Sequence, residues 1–69
     1  MYLADAISLA ATLTHTAPTG DQLSAQVEHG RVVFLGGRSG SHSVDVGASS
    51  DARVRAHWAG YCEAHARAS

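Results

Sequence analysis

Ser41, His42 and Asp45 stand close together in the run FLGGRSGSHSVDVG, Phe34 to Gly47. Serine, histidine and aspartate are the residue set of an acyl-transfer triad. Their spacing, however, is that of one strand. Successive side chains of a strand point to opposite faces, so Ser41, Ser43 and Asp45 go one way and His42, Val44 and Val46 the other. A Ser–His hydrogen bond along a single extended strand is not feasible, and no triad is expected here. The glycines of the same run, Gly36, Gly37 and Gly40, do not form a phosphate loop either. Such loops converge backbone N–H groups just before a helix, with a lysine following. Here the glycines separate two strand-like segments and no lysine follows. They read as a hairpin turn, with Arg38 and Ser39 at an exposed tip suited to touching a partner.

The chain carries five histidines in all and one cysteine. His57, Tyr61 and His65 fall on consecutive helical turns, and Cys62 and His65 have the i,i+3 spacing of a metal pair. Two ligands do not close a four-ligand site, and no third group is evident to orient His65 toward a Cys62 nucleophile. These residues are expected to pack or to reach backbone partners, with no catalytic residue, metal or cofactor. Trp58 and Tyr61 are expected in the core. Arg31, Arg38, Ser39, Asp45 and Arg53 remain as the residues expected to contact a protein partner.

Composition narrows the class. A chain of 69 residues is one domain, residues 1–69, with one cysteine and therefore no internal disulfide. A domain this small buries only about 60% of its unfolded surface, so its stability is marginal. The hydrophobic fraction of 45% and charged fraction of 16% fit a folded domain. A net charge of −1 lacks the basic face that direct nucleic-acid binding requires and the acidity of a DNA mimic. All five basic residues are arginine, a bias expected of a GC-rich genome. No apolar run reaches membrane-spanning length, and Met1 to Asp5 lacks the basic-then-apolar order of a signal peptide. A cytoplasmic protein with a reduced thiol is expected.

The elements that must position these side chains follow from periodicity. Tyr2 to His15 reads as an amphipathic helix with Tyr2, Leu3, Ala6, Ile7, Leu9, Ala10 and Leu13 on one broad face. Pro18 and Gly20 mark a loop. Leu23 to Glu28 alternates as a strand, His29-Gly30 is a two-residue turn, and Arg31 to Leu35 is a second strand. That strand is apolar on both sides, which favours cover on both faces of the sheet. His42 to Val46 is the third strand. Ser49 or Ser50 caps a final helix from Asp51 to about Arg67, with Val54, Trp58, Tyr61, Cys62 and His65 on one arc. The expected fold class is α+β: a single small α-β-β-β-α domain, a three-stranded antiparallel meander packed with two helices.

The leading helix, the meander AQVEHGRVVFLGGRSGSHSVDVG and the closing helix SSDARVRAHWAGYCEAHARAS together resemble the small phage-encoded anti-CRISPR proteins. The resemblance is architectural, spans nearly the whole chain and carries over no functional residue. It implies a non-enzymatic inhibitor that blocks a Cas subunit of a multi-subunit DNA-recognition complex, in the cytoplasm of a bacterial host. The near-neutral charge departs from the acidic members that mimic DNA. The alternative is a small phage structural, assembly or regulatory subunit acting as a homo-oligomer. Monomer and dimer both remain open at this point.

Overall fold

The computed structural model describes residues 1–17 and 22–68. The loop expected at Pro18 and Gly20, and Asp21 beside it, lie outside the described residues. The elements run α1 (Leu3–His15), β1 (Ser24–Glu28), β2 (Arg31–Leu35), β3 (His42–Asp45) and α2 (Asp51–Arg67). The strands form one antiparallel sheet in the order β1-β2-β3. This is the expected α+β meander with a helix before it and a helix after it.

Local chemistry sets the joints. His29 and Gly30 both take positive φ, 50° and 74°. That is the turn geometry whose twist matches two antiparallel strands. The register then pairs Glu28 with Arg31, Val27 with Val32 and Ala25 with Phe34. On the other side of β2, Arg31 pairs with Asp45, Val32 with Val44 and Phe34 with His42. Ser50, not Ser49, caps α2, its side chain accepting from the Arg53 N–H. Ser49 is buried, and its carbonyl accepts from the Met1 ammonium at 2.8 Å, as the Val46 carbonyl does at 2.9 Å.

The core lies between one face of the sheet and both helices. Ala25, Val32, Phe34 and Val44 project from that face and join Ala6, Leu9, Ala10 and Leu13 of α1 with Val54, Trp58 and Tyr61 of α2 in one cluster. Phe34, fully buried, sits at its centre, its ring edge-on to Trp58 at 5.2 Å and tilted to Tyr61 at 5.6 Å. Such aromatic pairs add about 0.5–1.5 kcal/mol beyond their burial.

Two expectations are corrected. The sheet is covered on one face, not both. Val33 and Leu35, on the other side of β2, are half-buried and do not join the core cluster. A strand apolar on both sides fits a two-sided burial pattern, but three strands and two short helices close only one interlayer space. The apolar face of α1 is also narrower than its periodicity suggests. Tyr2, Leu3 and Ile7 are exposed, at 82%, 54% and 54%, because the sheet and α2 reach only the stripe through Ala6, Leu9, Ala10 and Leu13. No helix of the described residues is long and apolar enough to cross a membrane.

Candidate functional site

The glycine turn between β2 and β3 is held against α2 by two side chains one helical turn apart. Tyr61 Oη accepts from the Gly37 N–H at 2.8 Å and donates to the Gly40 carbonyl at 2.6 Å. His65 Nδ1 accepts from the Arg38 N–H at 2.9 Å. Both residues are buried on the arc that periodicity places toward the core. A turn rich in glycine is thereby fixed at three backbone groups, while Arg38 and Ser39 stay exposed at its tip. Holding the backbone this way removes much of the conformational entropy that a contact loop otherwise loses on binding.

Beside the turn, the start of β3 and the flank of α2 enclose an open cleft of about 610 Å³. Ser39, Ser41, His42, Arg53, His57 and Tyr61 line it. The His42 and His57 rings lie 5.5 Å apart, tilted by 31°. His42 thus belongs to the helix-covered side of the sheet, separated from Ser43 and Asp45. Asp45 instead accepts from the Gly47 N–H at 2.8 Å, which shapes the exit of β3. Among the described residues, no group of three or more His, Cys, Asp and Glu could hold a metal ion. Cys62 is half-buried against the edge of the core cluster.

The five expected contact residues fall into three places. Arg31 and Asp45 are opposite one another on the bare face of the sheet. Arg31 Nε donates to Ser43 Oγ at 2.9 Å on that same face. Arg38 and Ser39 project from the clamped turn. Arg53 stands on the first turn of α2, on the helix-covered side. A groove of about 230 Å³ along β3 is lined from both faces, by Arg31, Ser43 and Asp45 and by His42, Arg53 and His57. The open edge of β3 therefore brings Arg31, Asp45 and Arg53 to one groove, and Arg38 lines neither hollow.

Periodicity does not single out Val33 and Leu35, the apolar residues of β2 on the bare face. Their signal is the two-sided apolarity of β2, a pattern that a buried face and a contact face share. No protein-family model, curated protein or solved structure matches the chain.

Proposed function

We propose that the chain is a protein-binding inhibitor of the anti-CRISPR kind, acting stoichiometrically by covering a Cas subunit of a DNA-recognition complex. The observation that carries this reading is the bare face of the sheet. Val33 lies at its centre and Leu35 toward one end, and Gln26, Glu28, Arg31, Ser43 and Asp45 flank Val33. An apolar centre inside a polar rim is the anatomy of a protein interface. The clamped turn adds Arg38 and Ser39, exposed at the end of the sheet on the α2 side, in a position fixed before binding.

The test is phage plaquing on bacteria that carry a defined CRISPR–Cas system, with the chain expressed from a plasmid. Restored plaquing, together with near-stoichiometric capture of the same Cas complex, supports the reading. Val33→Glu, which charges the centre of the bare face without touching the core, is expected to abolish both and leave the fold intact. Unchanged interference across the multi-subunit systems tested counts against it. A second reading, a small phage assembly or regulatory subunit acting as a homo-oligomer, draws on a separate observation, the unprotected edge of β3.

A further inference from the structure

We propose that two copies of this chain pair through β3, antiparallel about a twofold axis, joining their sheets into one of six strands. The inference does not depend on which partner or function the chain has.

The two edges of the sheet are treated differently. The Val46 N–H donates to the Gly30 carbonyl at 2.9 Å. Antiparallel ladders alternate strictly, so His42 and Val44 also direct their backbone groups toward β2. The Ser43 and Asp45 backbone groups then point outward. The same alternation turns the backbone of Ala25 and Val27 outward from β1, and at Ala25 that edge is closed. The Ala25 N–H donates to Thr14 Oγ1 at 2.8 Å, and the Ala25 carbonyl lies 3.0 Å from that hydroxyl. The end of α1 thus covers the start of the β1 edge. Among the described residues nothing comparable covers Ser43 or Asp45. Exposed edges are normally blunted, covered or paired.

Charge selects a second copy as the occupant. Antiparallel pairing that sets Ser43 opposite Asp45 of the second copy places Val44 on the twofold axis. It joins outward-facing backbone groups on both strands. Arg31 already extends to the Ser43 hydroxyl. Its guanidinium therefore lies beside the position that Asp45 of the second copy would take. The axis repeats this contact, giving two interchain Arg–Asp pairs. On the helix side, the flank of α2 above this edge carries, beside Arg53 and His57, the small residues Ala56, Gly60 and Ala64 on successive turns. Their small size leaves room for the second α2 at an ordinary helix-packing distance.

Sedimentation and light scattering of the purified chain alone test the proposal. The wild type is expected to show twice the mass of one chain, dissociating on dilution. Ser43→Pro removes an N–H that β2 does not use, at an edge position where proline is tolerated. It is expected to remain folded by circular dichroism and to weaken dimerisation about a hundredfold. Asp45→Arg is expected to give a monomer, and Arg31→Asp with Asp45→Arg to restore the dimer. A wild type that stays monomeric at millimolar concentration overturns the proposal. So does a dimer unchanged by Ser43→Pro. A monomer whose Ser43 and Asp45 amides become protected from exchange only on a Cas complex also overturns it, and assigns the edge to a strand of that partner. The mass of the wild type and of its variants is read on the chain alone, so failure here and failure of the inhibitor reading are distinguishable.

Discussion

Tyr61 and Gly37 approach so closely that residue 37 has no room for a side chain. The phenol oxygen accepts the Gly37 N–H at 2.8 Å, and a Cβ built on Gly37 would lie 2.6 Å from that oxygen. The bond and the missing side chain are one requirement. Gly37→Ala is expected to push the Tyr61 ring away and release the turn. Tyr61→Phe keeps the ring in the core but leaves the Gly37 N–H and the Gly40 carbonyl to water. Each lost bond is worth about 1 kcal/mol, so Tyr61→Phe is expected to destabilise by about 1–2 kcal/mol. Urea unfolding measures the loss. Amide exchange at Gly37 should accelerate more than exchange in β1.

Gly36 is a sharper case. Its φ is +89°, and a Cβ there would lie 2.0 Å from the Gln22 carbonyl oxygen. Backbone atoms meet backbone atoms, so no side-chain rotation relieves the clash. Gly36→Ala is expected to destabilise by about 2–4 kcal/mol, through strain in a left-handed conformation and displacement of the chain entering β1. Little soluble protein, or a melting midpoint far below that of Gly37→Ala, is the expected result. A near-native midpoint would show that the chain before β1 moves aside freely.

Thr14 closes the β1 edge with one hydroxyl. It accepts from the Ala25 N–H, and its own proton is within reach of both the Ala10 and Ala25 carbonyls, at 2.9 and 3.0 Å. One proton serves one acceptor at a time. Thr14→Val preserves shape and β-branching but removes both functions. It is expected to cost about 1–2 kcal/mol and to expose the Ala25 amide to exchange. It should also raise the tendency to aggregate, because a second edge then lies open.

Adjacent residues of β2 should respond oppositely to truncation. Phe34→Ala empties the centre of the aromatic cluster and is expected to cost about 3–5 kcal/mol, enough to unfold a domain of this size. Val33→Ala, one residue away on the bare face, is expected to cost less than about 1 kcal/mol. Thermal unfolding of the two variants measures the asymmetry of the sheet directly. Equal losses would mean that the second face is covered after all.

The exposed ion pairs of α2 should matter little. Arg55–Asp51 at 2.6 Å and Arg67–Glu63 both have i,i+4 spacing and well-exposed side chains. Such pairs contribute about 0.3–0.5 kcal/mol. Arg67→Ala is therefore expected to leave the melting midpoint nearly unchanged, with any effect fading in high salt.

Much of the fold is written in local patterns. The alternation through Ala25 and Val27, the His29-Gly30 turn and a serine cap at Ser49 or Ser50 are decided by residues a few positions apart. Local backbone chemistry is enough to specify a meander between two helices. The separation of His42 from Ser43 and Asp45 follows from the same period of two, and with it the absence of a triad within that strand. What only the tertiary structure decided is which apolar positions find cover. Val33 and Leu35 look as buried as Val32 and Phe34 until both helices settle on one side. Tyr2, Leu3 and Ile7 look as inward as Leu9 until the width of the layer beneath α1 is known. The clamp of Tyr61 and His65 on the glycine turn joins residues 24 and 27 positions apart. The Thr14 cap likewise joins α1 to a strand edge. Such contacts depend on how the elements meet in space, and no periodicity along the chain encodes that meeting.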